Sequence, residues 1–269
     1  MPAGRLVFGD DRSAAADVAW LWINSHSWPG WLVSVVEAHR SAEYAVLPPE
    51  RTELHAWEPT HPRELIAGAP DTALEHLMAE ADPRVVLDSC GEADLMVVGP
   101  RGSGALKQLH IGSTTEWLLA RPDPPLVIVR NGRVTHRVLV CVDGSRHARR
   151  ATEAVAALPW IAGCQVTVLA VAESDRDAQA AAAEAQELLR AADVEARSVV
   201  AEAPRGGLGA AHDVRGVILE EISELDVDLV ALGTRGLGTL RRAIVGSTAS
   251  AVALHAPCSV LVAYAEPED

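Results

Sequence analysis

The chain has 269 residues, 49% of them hydrophobic, and a formal net charge of −14, which is typical of a globular protein with one large or two ordinary domains. This charge argues against non-specific nucleic-acid binding, and no apolar run approaches the ~18 residues that a membrane span needs. The N-terminus leads straight into a strand-like stretch, so we expect a cytoplasmic protein without a signal peptide.

The chain repeats itself. The stretch DLMVVG at 94–99 resembles DLVALG at 228–233, at an offset of 134. Asp11-Arg-Ser13 matches Asp143-Gly-Ser145 at an offset of 132. These matches predict a tandem duplication, with one domain over residues 1–132 and a second over residues 133–269.

Apolar runs and helical periodicity predict the elements of the first half in chain order. The predicted strands are 6–10, 31–36, 73–79, 94–99 and 126–129, and the predicted helices begin at Ser13, Arg84 and Ser113. The first helix is predicted to turn Val18, Leu21 and Trp22 inward. Ser113-Thr-Thr-Glu116 has the form of a capping box. Four prolines within 42–62 exclude a helix there and predict an irregular connection.

The second half is more regular. Its predicted strands are 137–142, 165–171, 194–201, 229–233 and 260–263, and its predicted helices are 145–158, 175–192, 214–225 and 247–255. Strands that alternate with helices indicate a parallel sheet covered on both faces. We therefore expect an α/β fold with two tandem five-stranded, doubly wound parallel sheets. Ligands in such sheets bind beyond the carboxyl ends of the strands.

A glycine pattern follows the fourth strand of each half. Gly233-Thr-Arg-Gly236 is followed, after nine residues, by Gly246-Ser-Thr248, and Gly99-Pro-Arg-Gly102 is followed in the same way by Gly112-Ser-Thr114. Glycines after a strand allow the backbone to approach a ligand closely. Ser247 is expected to cap the next helix, whose free N–H groups and dipole suit a phosphate.

With Val-Cys-Val-Asp143-Gly-Ser145, this pattern resembles the universal stress protein family in its tandem two-domain form, over nearly the whole chain. The resemblance implies a Rossmann-like, adenine nucleotide alpha hydrolase-like fold with strand order 3-2-1-4-5. It also implies an ATP site, with AMP or ADP as alternatives and Mg²⁺ as an optional bridge between phosphates. Strand 5 of each half would pair with its counterpart, so that the chain forms a pseudo-dimer that could dimerise again.

In the second half the resemblance puts adenine against Asp143 and the backbone of Val171, and the phosphates at the glycine turn and the following helix. The implied set is Asp143, Gly144, Ser145, Val171, Gly233, Thr234, Arg235, Gly236, Gly246, Ser247 and Thr248. The first-half set is Asp11, Val36, Gly99, Arg101, Gly102, Gly112, Ser113 and Thr114. Arg101 and Arg235 are either phosphate-neutralising cations or solvated loop residues.

The first half departs from the pattern at Arg12, which stands where the second half has Gly144. If this position has a positive φ, arginine is disfavoured and the adenine end of the first site is distorted. The second site is therefore the stronger candidate.

We expect an ATP-binding stress-response regulator whose nucleotide occupancy modulates conformation or partners. A weak ATPase or phosphotransfer enzyme and a nucleotide-free interaction module are the alternatives. The sequence has no Walker lysine motif and no kinase-type catalytic loop, and we assign no catalytic residue. Asp143, Ser145 and His147 are not expected to form a triad, because helix capping explains Ser145. The four cysteines lack metal-binding spacing, so we predict buried thiols and no metal site.

Overall fold

A computed structural model of the chain describes residues 2–39, 52–66, 71–90, 92–102, 111–120, 123–172, 175–202, 214–234 and 246–265. The chain divides into two compact units. The first comprises Met1–Leu118 and Leu126–Arg133, and the second comprises Leu119–Pro125 and Val134–Asp269. The division after Arg133 lies one residue beyond the boundary expected from the internal repeat.

The first half of the chain forms a sheet with helices between its strands. The strands are β1 (Gly4–Gly9), β2 (Trp31–Ala38), β3 (His55–Ala56), β4 (Ala73–Ala79), β5 (Leu95–Val98) and β6 (Leu126–Ile128), and the helices are α1 (Ala14–Asn24), α2 (Pro83–Asp88) and α3 (Ser113–Leu119). The strand order is β3-β4-β2-β1-β5-β6. Neighbouring strands are parallel except for the short β3, which runs antiparallel to β4. Apart from β3, the predicted order 3-2-1-4-5 is confirmed.

The second half has the same order without an added strand. Its elements are β7 (Arg137–Val142), α4 (Arg146–Ala156), β8 (Gln165–Ala172), α5 (Asp175–Ala191), β9 (Ala196–Glu202), α6 (Val214–Glu224), β10 (Leu229–Gly233), α7 (Ser247–His255) and β11 (Ser259–Ala263). The strands are all parallel, in the order β9-β8-β7-β10-β11. The doubly wound α/β fold is thereby confirmed in each unit.

The central strands are buried on both faces, as parallel sheets between helices require. Leu6, Val7 and Phe8 of β1 have no exposed surface, and neither do Leu229 and Val230 of β10. Successive side chains of a strand point to opposite faces, so a continuous buried run means that both faces are covered. Among the described residues, no helix combines the length and apolar character needed to cross a membrane.

Helix α1 begins where the sequence predicts, but its buried face differs. Ser13 is the N-cap, and its hydroxyl accepts a hydrogen bond from the Ala16 amide. Of the three residues predicted to face inward, Trp22 is buried, Val18 is half-buried and Leu21 is 58% exposed. The buried residues are Ala16, Ala19, Trp20, Trp22 and Ile23. These residues define the buried face of the helix, which leaves Leu21 on the side that faces solvent.

Four tryptophans and three cysteines belong to the cores. Trp20, Trp22, Trp28 and Trp31 are at most 7% exposed. All four cysteines are free thiols, and Cys164 is the one that is half-buried rather than buried. Burial raises the pKa of Cys90 and of Cys164 to about 11. These two thiols are therefore protonated near neutral pH. The prediction of buried thiols is confirmed for Cys90, Cys141 and Cys258.

Candidate functional site

In the second unit, the two motifs follow neighbouring strands. Strand β7 pairs in parallel with β10, with Cys141 opposite Leu232. Asp143 follows β7 directly, and Thr234 follows β10. The carboxyl ends of parallel neighbours lie at the same edge of a sheet, so the aspartate and the start of the glycine turn share one crevice. This is the juxtaposition that the sequence predicts.

The turn after β7 is held in a specific backbone conformation. Gly144 has a φ of 79°, in the left-handed region that favours glycine. The Ser145 amide donates to the Asp143 carboxylate at 2.9 Å. The Ser145 hydroxyl caps α4 by accepting from the Ala148 amide at 3.2 Å. Asp143 is half-buried and Gly144 is exposed, so this edge is open to solvent.

A backbone hydrogen bond closes the glycine pattern of each unit. The Gly246 amide donates to the Thr234 carbonyl at 2.7 Å, and the Gly112 amide donates to the Pro100 carbonyl at 2.8 Å. The start of α7 is thereby held against the end of β10. Thr234 is 2% exposed, and its hydroxyl has no hydrogen-bond partner in the part of the chain that the structure describes.

The predicted capping roles of Ser247 and Ser113 are wrong, unlike those of Ser13 and Ser145. Gly246 is the N-cap of α7, and its carbonyl accepts the first helical bond, from the Ser250 amide at 3.0 Å. The Gly112 carbonyl accepts from the Glu116 amide at 2.8 Å, so Ser113 also lies inside its helix and forms no capping box. Gly246 has the extended backbone of an N-cap, so α7 begins at Ser247. Ser247 is exposed on the first turn, which leaves its hydroxyl available to a ligand.

The first glycine of each pattern has a packing role, and its predicted contact with a ligand stays a prediction. A Cβ atom on Gly233 would lie 2.5 Å from the carbonyl carbon of His147 at the start of α4. A Cβ atom on Gly99 would lie 2.9 Å from the carbonyl carbon of Ala15 in α1. Both glycines therefore allow a helix to approach the end of a strand. Gly102 differs, because its Cβ atom would meet the Asp11 carboxylate at 2.4 Å.

The remaining predicted site residues lie as follows. Ser113 is exposed, while Gly112 and Thr114 are half-buried, like Gly246 and Thr248 of the second unit. Arg101 is exposed. Arg235 and Gly236 lie outside the described residues. The second-unit turn is therefore described only at its two ends.

The register of the sheet separates Val36 from its expected counterpart. Gly9 is opposite Val36 in the first unit, and Cys141, the counterpart of Gly9, is opposite Leu169 in the second. Ala38 is therefore the position equivalent to Val171. The Val36 carbonyl lies inside the sheet, where it accepts from the Asp10 amide at 2.9 Å. The term "adenine end" denotes the carboxyl ends of β1 and β2, or of β7 and β8, with the residues directly after them.

The adenine end of the first unit is occupied by arginines. Arg12 has a φ of 60°, so this position does have the positive φ that disfavours arginine. The Arg12 guanidinium forms an ion pair with Glu37, lies 3.5 Å from the Asp10 carboxylate and donates to the His61 carbonyl at 2.6 Å. Asp10 and Glu37 are 3% and 6% exposed.

A second arginine neutralises Asp10. The Arg63 guanidinium donates to both Asp10 carboxylate oxygens, at 2.7 and 2.9 Å, and reaches Asp17 at 2.7 Å. The hydrogen bond to Asp10 raises the pKa of Arg63, so its guanidinium stays charged. Sequence reasoning missed this network. Its one signal is an acidic residue at or directly after the end of each of two largely apolar strands, Asp10 after β1 and Glu37 in β2.

The structure gives no support to a hydrolytic triad at Asp143, Ser145 and His147. The Nδ1 atom of His147 accepts from the Ala265 amide at 2.9 Å, and its ring packs 5.1 Å from that of Tyr264. The Ser145 hydroxyl serves as a helix cap. Within the described ranges, no group of three His, Cys, Asp or Glu residues is placed to hold a metal ion.

Comparison with known proteins identifies the family. The model of the universal stress protein family matches residues 135–263, which lie in the second unit. A universal stress protein of Mycolicibacterium smegmatis is 26% identical over 260 residues, covering 88% of this chain and 82% of that protein. The second unit of this chain therefore matches the universal stress protein family, and the chain as a whole is similar to a member of it.

Two further proteins are similar to this chain. A protein of Staphylococcus haemolyticus named as a universal stress protein is 55% identical over 49 residues, a match that spans 18% of this chain and 30% of that relative. A universal stress protein from Archaeoglobus fulgidus has a crystal structure that covers 98% of this chain and 99% of its own, with a TM-score of 0.71 at 19% identity. This last likeness shows a shared fold.

Proposed function

We propose that the second unit binds an adenine nucleotide, ATP in the first place, and that occupancy modulates the conformation or the partners of the chain. One observation carries the proposal. The hydrogen bond from Gly246 to Thr234 holds the start of α7 beside the strand that neighbours Asp143. A nucleotide needs a polar group for its base and an anion site for its phosphates, and these groups supply both.

Each group has a proposed role. The Asp143 carboxylate and the backbone of Val171 hold the adenine. The free N–H groups and the positive dipole of α7, with the exposed Ser247 hydroxyl and Thr248, hold the phosphates. The buried Thr234 hydroxyl donates to ribose or phosphate, which would give it a hydrogen-bond partner. Arg235 and Gly236 complete the proposed set.

A divalent cation fits this site as a companion of the phosphates. The described residues offer the hydroxyls of Ser247 and Thr248 as oxygen ligands, but no cluster of three acidic, imidazole or thiol side chains. Mg²⁺ binds through few protein ligands and retains waters or phosphate oxygens. We propose that Ser247 and Thr248 would hold Mg²⁺ beside the phosphates, whose negative charge it would neutralise.

A regulatory role fits the site better than rapid hydrolysis. A hydrolytic enzyme needs a base within hydrogen-bond reach of the attacking water. His147, the imidazole nearest in sequence to Asp143, already accepts the Ala265 amide through Nδ1. Measuring ADP released from the occupied protein distinguishes the two functions, because turnover at enzymatic rates would favour the enzyme alternative.

The direct test begins with purified full-length protein. Denaturation followed by mass spectrometry of the supernatant is expected to release an adenine nucleotide, or protein freed of nucleotide is expected to bind ATP with Mg²⁺ in calorimetry. Absence of both release and binding would refute the proposal.

A pair of variants locates the phosphates. Gly246→Val puts a branched side chain where the phosphates approach, and is expected to weaken ATP binding roughly 100-fold or more, since each charge-assisted contact contributes about 1.5–3 kcal/mol. Ser250→Ala, one turn further along α7, is the control and should bind like the wild type. Equal affinity for Gly246→Val and Ser250→Ala would show that the phosphates bind elsewhere.

Other expectations remain proposals. These are two domains that meet at residues 132 and 133, pairing of the fifth strands in a pseudo-dimer, a homodimer and a cytoplasmic location. Size-exclusion chromatography with light scattering tests the homodimer, with about 28.5 kDa expected for a monomer and twice that mass for the dimer.

A further inference from the structure

The adenine ends of the two units have the same backbone and different side chains. At matching positions, the second unit has Val142, Gly144 and Ala170, and the first unit has Asp10, Arg12 and Glu37. We propose that Arg12 closes the adenine end of the first unit, so that the chain holds one nucleotide, in its second unit. This inference rests on the proposed function of the second unit.

The Arg12 guanidinium lies in the adenine end of the first unit, where a bound base would have to lie. Its contacts are with Asp10 at the end of β1, with Glu37 one residue before Ala38, and with the His61 carbonyl. Ala38 is the register equivalent of Val171, whose backbone is the proposed contact of adenine. A base in the first unit would therefore have to displace this guanidinium. It would also leave Glu37, which is 6% exposed, without its ion pair with Arg12.

The segment 52–66 fixes Arg12 from outside. In the second unit, α5 lies in the connection between the second and third strands, whereas in the described part of the first-unit connection the one regular element is β3. The segment is tied to α1, because the Asn24 side chain donates to the Glu64 carbonyl at 3.2 Å and accepts from the Ile66 amide at 3.0 Å. The Arg63 amide also donates to His76 in β4 at 3.1 Å. The His61 carbonyl is thus held over Arg12 by anchors on two elements.

Arg63 contributes to the same closure. Its ion pair with Asp17 of α1 corresponds to the pair between Arg149 of α4 and Glu184 of α5 in the second unit. The acidic residue is on the helix after the first strand in the first unit, and the basic residue is there in the second. Unlike Glu184, Arg63 also reaches into the sheet and neutralises Asp10, whose counterpart is the apolar Val142. Residues 52–66 therefore lie over the first unit where α5 lies over the second. They hold Arg12 in the adenine end of the first unit, whereas the adenine end of the second unit stays open.

The test counts nucleotides on the full chain. Native mass spectrometry with saturating ATP and Mg²⁺ is expected to find one nucleotide per chain. Two nucleotides would overturn the inference. None would instead refute the proposed function, so the two failures are distinguishable.

Matched variants then assign the nucleotide to a unit. Gly246→Val is expected to remove it, and Gly112→Val, the same change in the first unit, is expected to retain it. Asp143→Ala and Asp11→Ala form a second pair with the same expectation, which covers the case in which either valine variant unfolds in a thermal melt. Retention in the second-unit variants with loss in the first-unit variants would overturn the inference.

Discussion

The two units of this chain share one backbone arrangement, but they carry different side chains at the carboxyl ends of their first two strands. The turn after the first strand has positive φ in both, 79° at Gly144 and 60° at Arg12. In the second unit the turn has a glycine at this position and the strand ends are apolar. In the first unit the turn has an arginine, which lies between the buried carboxylates of Asp10 and Glu37. The backbone of this turn is thus similar in the two units, although its side chains differ.

The largest expected difference concerns the buried ion pair of the first unit. Arg63→Ala leaves the Asp10 carboxylate, whose side chain has no exposed surface, without its bidentate partner. Removing one member of a buried pair costs about 3–5 kcal/mol, so we expect a loss of this size in the free energy of unfolding. Chemical denaturation measures it.

Two controls sharpen this prediction. Arg149→Ala removes the corresponding pair of the second unit, which is exposed, and should change stability little. Asp10→Val with Arg63→Met installs the valine of the second unit and removes the unpaired charge, so it should be more stable than Arg63→Ala alone. If Arg63→Ala and Arg149→Ala were equally stable, the network would not hold the first unit together.

The next effect should be the same in both units, because the first glycine of each pattern serves packing. Gly233→Ala and Gly99→Ala each bring a methyl group within 3 Å of helix backbone, at His147 and Ala15 respectively. We expect each to lower the free energy of unfolding by roughly 2–3 kcal/mol, at the upper end of overpacking costs. Unchanged thermal melting of either variant would contradict this packing role.

A smaller effect is expected from grafting the arginine onto the second unit. Gly144→Arg places the residue of the first unit at the proposed adenine end, where the left-handed backbone costs a non-glycine residue about 1–2 kcal/mol. We expect ATP affinity to fall at least ~10-fold, equivalent to about 1.4 kcal/mol. Gly144→Asn tolerates the same backbone without a long side chain and should keep most of the affinity. Equal ATP affinity in the two variants would contradict the role given to Arg12.

The smallest effect concerns pH. Burial, aided by the Arg12 charge and opposed by the charges of Glu37 and Asp10, lowers the pKa of His76 from its usual value of 6.5. The unfolded chain then binds this proton at a higher pH than the folded chain, so stability falls as the pH drops through that region. His76→Gln should recover less than about 1 kcal/mol near pH 5 and nothing near pH 8.

The control for pH is His55→Gln, a change at an exposed position that should leave the pH dependence of unfolding as it is. A wild-type pH dependence in His76→Gln would show that other groups set the acid sensitivity.

Much of the fold can be predicted from the sequence because short local patterns indicate the strands and helices. Buried strands are continuous apolar runs, and the alternation of strand and helix leaves few topologies open. The glycine pattern and the positive φ at Arg12 are local features too, and the structure confirms that φ.

What the sequence does not reveal depends on distant partners. Arg63 lies 53 residues from Asp10 in the chain, within a proline-rich stretch that has no periodicity. The packing role of Gly233 depends on how closely α4 crosses β10, and the equivalence of Ala38 with Val171 depends on sheet register. Local patterns contain neither the crossing nor the register.

The most direct test of the central claim, that the second unit binds the nucleotide and the first does not, is photo-crosslinking of the full chain with 8-azido-ATP and mapping of the labelled peptides. We expect labelled peptides from residues 134–269 alone, in the region of Val171, and loss of the label with excess ATP. Labelled peptides from the first unit that excess ATP also suppresses, or no suppressible label anywhere, would contradict the claim.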